Sequence, residues 1–402
     1  MVSLLLAVGI LVAVFVGFNI GGSSTGVAFG PAVGAGTVSK FTAAALMTIF
    51  ALAGGWTIGR KVVDTLGNNL VTTQFTIEVS IVVLFFIGFA LFLSNVVGVP
   101  ASTSMTAVGA IAGLGVAKGT LNVSEMSRIV SWWLVSPVLA FWVSGVIGRY
   151  FYPTLVERFA ISQTEGSLLA WDTSGALPRP ELGENTTQRE FVGTALVVGI
   201  GCYMAFSAGA SNVANAVAPL VGIEGGGLAM GPAILLGGGA IGLGAFTIAR
   251  RTMDTVGNDL TDLPLLAALL VAMVSSTIVT VLSALGVPAS FVIIATMSIV
   301  GLGWGRATRT TTISDTVRGE MPSVSPGALK AEADDVPTVG GGPATPNPGD
   351  HRPIGEEDPE DIPKAADLFE PATTARVIVT QNIVPVIATV AAYAVFRYVP
   401  AF

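Results

Sequence analysis

The chain repeats itself, and what it repeats is apolar. Val99-Pro100-Ala101-Ser102 returns as Val287-Pro288-Ala289-Ser290. The run IGRKVVDTLGNNL (58–70) returns as IARRTMDTVGNDL (248–260). Arg128, Pro137, Arg149 and Tyr150 return at identical spacing as Arg376, Pro385, Arg397 and Tyr398. Tandem copies built from hydrophobic segments, broken by glycine or proline at matching positions, are the mark of a transporter whose site lies where the copies meet.

Charge settles the solvent. Of 402 residues, 52% are hydrophobic and only 11% charged, against roughly 25% charged in a soluble domain. The bilayer must therefore solvate this chain. The net charge of −7 comes with no basic stripe, which argues against a nucleic-acid partner. Cys202 is the only cysteine and His351 the only histidine, so a disulfide within the chain, a thiolate metal site and a Ser-His hydrolase are all disfavoured. No G-x-x-x-x-G-K-[ST] motif occurs, so an ATP-driven pump is not expected. The chain is expected not to be an enzyme and to need no cofactor, with H+ or Na+ as the coupling ions to consider.

A membrane-crossing helix needs about 20 mostly apolar residues. Candidate segments lie near 2–18, 41–63, 75–97, 104–118 and 127–150, then near 190–207, 228–249, 262–285, 291–304 and 376–399. The basic n-region of a signal peptide is missing from the first of these, which is read as a membrane segment. Five crossings per half is an odd number, and odd halves in tandem enter the membrane from opposite sides. The expected fold is an all-α polytopic membrane protein. It has two inverted-topology repeats of about five transmembrane segments each, with broken or re-entrant helices. Residues 1–150 form the first repeat, 151–189 a polar linker, 190–306 the first part of the second repeat and 376–402 its last helix. Residues 307–375, rich in Pro, Gly, Asp and Glu, have no counterpart in the first half and read as a disordered acidic insertion. Lipid is an expected partner, the plasma membrane the expected location, and a homodimer is compatible with this reading.

Two polar constellations interrupt the apolar segments. GFNIGGSSTG (17–26) pairs with GASNVANAVAP (209–219). Asn19, Ser23, Ser24, Ser211, Asn212 and Asn215 supply hydroxyls and amides, and the glycines could turn backbone N–H groups toward a ligand. Close helix packing through small residues is the alternative. The second constellation is VPASTSM (99–105) with VPASFVI (287–293). Proline with an adjacent hydroxyl starts helices, and a helix start inside the membrane offers unpaired donors and the positive end of the dipole. Ser102, Thr103, Ser104 and Ser290 are the candidates there. No basic residue lies deep in an apolar segment, so an anion would rely on dipoles and hydroxyls. Glu78, Asp64 and Asp254 are the acids nearest membrane depth and the candidates for coupling.

These motifs resemble the inorganic phosphate transporter (PiT) family over nearly the whole chain except 307–375. The family signature G-[AFS]-N-D-x-A-N-[AS] is read as Gly17-Phe18-Asn19-Ile20-Gly21-Gly22-Ser23-Ser24 and again as Gly209-Ala210-Ser211-Asn212-Val213-Ala214-Asn215-Ala216. The later P-x-S-T-[ST]-H motif is read as Pro100-Ala101-Ser102-Thr103-Ser104-Met105. The signature aspartate is Ile20 in one copy and Asn212 in the other, so the resemblance does not carry over sodium binding through that carboxylate. NIGGSS followed by PASTS is closest to the sulfate permease branch. The resemblance implies a secondary transporter of a small tetrahedral oxyanion, phosphate or sulfate, working by alternating access. A non-transporting membrane anion sensor or scaffold using 307–375 is the other reading.

Overall fold

The computed structural model describes residues 2–34, 37–97, 101–158, 169–172, 179–182, 188–223, 227–249, 265–310 and 371–400. Its helices are α1 (Val2–Gly34), α2 (Lys40–Thr57), α3 (Gly59–Asp64), α4 (Ile77–Val97), α5 (Thr103–Lys118), α6 (Val123–Val146), α7 (Tyr152–Arg158), α8 (Gln188–Val221), α9 (Met230–Phe246), α10 (Leu265–Ala284), α11 (Phe291–Ala307) and α12 (Pro371–Tyr398). Among the described residues the only strands are a hairpin in the linker, Leu169–Asp172 against Arg179–Leu182. The insertion at 307–375 lies outside the described residues from 311 to 370, as does Asp254.

Five of these helices are long and apolar enough to cross a membrane, and α2 with the segment Gly59–Asn69 makes a sixth, bent by 63°. The apolar segment 41–63 is thus not straight. α5, α9 and α11 are shorter. Large apolar side chains such as Phe85, Phe89, Leu134, Trp142 and Val386 stand exposed on the outside. That surface is stable only against hydrocarbon, where closed helices leave no backbone group wanting water.

The two halves interlock. α1 of the first half packs on α9 of the second, while α8 packs on α2. Likewise α5 packs on α12 and α11 on α6. Glycine sets how close the first four of these helices come. A Cβ on Gly21 would lie 1.9 Å from the Ile241 carbonyl oxygen, and one on Gly209 would lie 2.0 Å from that of Ala51. Gly54 and Gly244 meet the carbonyls of Phe206 and Phe18 in the same way, at 1.9 and 2.0 Å. Only a residue without Cβ allows this approach.

These contacts correct the register of the repeat. Ala51 and Ile241 are related by the interval that separates Ile58 from Ile248. The glycines facing them, Gly21 and Gly209, are therefore structural mates, which displaces the Gly17–Gly209 pairing by one turn. Ser23 then answers Ser211, and Ser24 answers Asn212. The glycine-rich runs also stay helical, 17–34 inside α1 and 208–221 inside α8. Their backbone N–H groups are spent within the helix, and the glycines serve packing.

Candidate functional site

Each Pro-Ala-Ser motif ends in a helix start. Ser102 has extended backbone (φ −74°, ψ 104°) and its Oγ accepts from Met105 N at 3.2 Å. Ser290 does the same (φ −85°, ψ 106°), accepting from Ile293 N at 3.5 Å. A hydroxyl at this position satisfies one of the free donors of the first turn. Both caps are buried, so α5 and α11 begin inside the protein.

The two starts open on one cavity. Its polar lining is Ser23, Ser24, Ser102, Thr103, Asn212 and Ser290, and its apolar lining includes Met204, Ala208, Phe291 and Val292. None of the lining residues is charged. The cavity leaves about 40 Å³ to the centres of water-sized atoms. One buried water needs roughly 10–15 Å³ by that measure, so a small polyatomic ion has room.

A second layer braces the first. Thr103 Oγ1 donates to Asn212 Oδ1 at 2.7 Å, and Asn215 Nδ2 donates to the same oxygen at 3.2 Å. Asn215 Nδ2 also reaches Ser104 Oγ at 3.4 Å, and Ser104 and Ser211 exchange a hydrogen bond at 3.2 Å. Ser211 Oγ donates to the Ala289 carbonyl at 3.1 Å. Ser104, Ser211 and Asn215 are thus fully buried members of a network behind the cavity. With the Asn212 carbonyl oxygen occupied, its NH2 is the group it can offer the cavity. Hydroxyls, an amide and two helix starts, with no fixed charge, suit a ligand that brings its own negative charge.

Three candidates stand apart. Asn19 does not line the cavity: its Nδ2 donates to the Phe15 carbonyl at 2.8 Å. Its own Oδ1 and carbonyl oxygen each accept from Asn95 Nδ2 at 3.0 Å. It fastens α1 to α4, a role with no local sequence signal. Glu78 and Asp64 are exposed and outside the cavity, and the lining gives no geometric support to coupling through them. Among the described residues, Lys61, Arg128 and Trp133 reach the second serine turn from afar. Sequence reasoning missed them, although the first two belong to the repeated basic positions.

A helical membrane bundle whose two halves interlock around an uncharged, donor-lined cavity defines a transporter. The comparisons say which kind. The model of the phosphate transporter family matches residues 20–321, and the chain belongs to that family, whose members are multi-pass membrane permeases and not enzymes. It is 31% identical over 299 residues to the sulfate permease CysP of Bacillus subtilis (strain 168), covering 74% of this chain and 77% of that one. A solved structure titled "The sodium-dependent phosphate transporter" shares the fold, with a TM-score of 0.65 over 98% of both chains at 19% identity.

Proposed function

We propose that the chain is a secondary transporter that moves a small tetrahedral inorganic oxyanion, phosphate or sulfate, across the plasma membrane. Two inverted repeats would alternate access to a central site. The anion is held by the starts of α5 and α11 and by Ser23, Ser24, Ser102, Thr103, Asn212 and Ser290. The observation that carries this reading is the meeting of both buried serine caps in one cavity without charged lining. Donors fixed in place before the ligand arrives need little reorganisation to receive it. None of the lining residues is a carboxylate or a histidine, so a coupling proton would travel on the anion and a coupling sodium would rest on carbonyl and hydroxyl oxygens. The names of the relatives include both ions, and both stay in the proposal.

The test is uptake of labelled sulfate and labelled phosphate into proteoliposomes, each challenged by the unlabelled other. Saturable uptake of one, suppressed by an excess of the same ion, is expected. Tight binding of either ion without flux would replace the transporter with the sensor reading.

A further inference from the structure

The second serine turn is held from the other half of the molecule. α10 ends at Ala284, and Gly286 takes a left-handed conformation (φ 76°) that closes it. The last carbonyls of a helix lack intrahelical partners and carry the negative end of its dipole. Here side chains remote in sequence supply the donors. Lys61 Nζ donates to the Ala284 carbonyl at 2.8 Å, and Arg128 Nη1 to that of Leu285 at 2.9 Å. Trp133 Nε1 donates to the Pro288 carbonyl at 2.7 Å. Arg128 is itself steadied by Glu125, one helical turn before it. Ser290, the next cap, follows two residues after Pro288.

We propose that Lys61, Arg128 and Trp133 are positioning residues. They hold the 284–290 turn of the second half so that Ser290 and the start of α11 face the cavity, and so set its affinity for the anion. The proposal rests on the transporter reading above. It also gives a reason for repeated basic residues that take no part in the cavity. The duplication carries Arg251, Arg376 and Gln381 at the places of Lys61, Arg128 and Trp133, so side-chain donors are encoded in both copies. Cations that only stabilised a helix end would change the amount of folded protein and leave affinity alone.

The experiment measures KM and Vmax for sulfate and phosphate uptake in proteoliposomes, per unit of monodisperse protein. Losing two charge-assisted hydrogen bonds in Lys61→Gln with Arg128→Gln should raise KM about tenfold, with Vmax changed less than about twofold. The pair Lys61→Arg with Arg128→Lys should return KM to within about twofold of the parent. Trp133→Phe removes one donor and keeps a ring, and should raise KM about threefold. It carries the test should the double variant fail to fold. Parental KM in both Trp133→Phe and the double variant, or a loss confined to Vmax, overturns the proposal. A parent protein that takes up neither ion instead overturns the transporter reading. The proposal is then decided on the Kd of the purified parent and variants for sulfate and phosphate, where unchanged values overturn it.

Discussion

Thr103 and Asn212 lie 109 residues apart in sequence and 2.7 Å apart at their polar atoms. One belongs to the serine turn of the first half, the other to the long first helix of the second. Their bond orients the Asn212 amide: the oxygen turns to Thr103 and Asn215, which leaves the nitrogen as the group free to serve a ligand. It joins the halves at the point where a ligand would sit.

Asn212→Asp tests that orientation. Aspartate keeps an acceptor for Thr103 and Asn215, so the fold should persist, but it puts a carboxylate oxygen where the NH2 stood. At an effective dielectric of about 20, a unit charge about 5 Å from a dianion costs roughly 6–7 kcal/mol. Sulfate uptake should vanish. Hydrogen phosphate can donate its proton to the new carboxylate and should lose less. Sulfate uptake at the parental rate would show that Asn212 does not touch the ion.

Removing the hydroxyls of the first turn should separate function from stability. Losing a cap costs about 0.5–2 kcal/mol, which an interlocked bundle tolerates. Ser102→Ala with Thr103→Ala should therefore reach the membrane normally and lose at least about tenfold in uptake, since the Ser102 hydroxyl leaves the lining and the Thr103 bond that orients the Asn212 amide is lost. Normal uptake by this variant would remove the proposed site.

Packing glycines should behave unlike free ones. Gly209→Ala drives a methyl group against the Ala51 carbonyl, whereas a Cβ on Gly199 meets nothing within 4 Å. Gly209→Ala should lower the yield of monodisperse protein and its Tm in detergent. Gly199→Ala, which gains up to about 1 kcal/mol of helix propensity, should leave both unchanged or raised. Equal behaviour of the two would show that the contact between α2 and α8 yields easily.

Replacement of sodium by choline should leave most uptake intact, because no carboxylate lines the cavity. Measuring initial rates in the two salts decides this. Strict dependence on sodium would mean that hydroxyl and carbonyl oxygens suffice to hold the cation.

The apolar segments, the duplication and both serine caps could be read from the sequence, because each is local: hydropathy over a span, a repeated phrase, a proline beside a hydroxyl. The register of the signature could not. Gly17 and Gly21 stand one turn apart on the same face of a helix, and the motif favours Gly17, because Gly17-Phe18-Asn19 matches its first three positions and Gly21-Gly22-Ser23 only its first. Only the carbonyls of Ile241 and Ala51, in the opposite halves, single out Gly21. Asn19 had the right chemistry and depth, but Asn95 claims it from another helix. The same holds for Lys61 and Arg128, which look like headgroup-level charges until the end of α10 is set beside them.

The exchange of partners between the halves has a consequence for biosynthesis. α2 and α1 lie on helices that the ribosome has yet to make when they enter the bilayer. Until α8 and α9 arrive, the glycine faces of the first half have only lipid or one another to lie against. The protein therefore cannot mature half by half: its N-terminal segments wait in the membrane as unfinished surfaces, and insertion of the later helices completes both halves together.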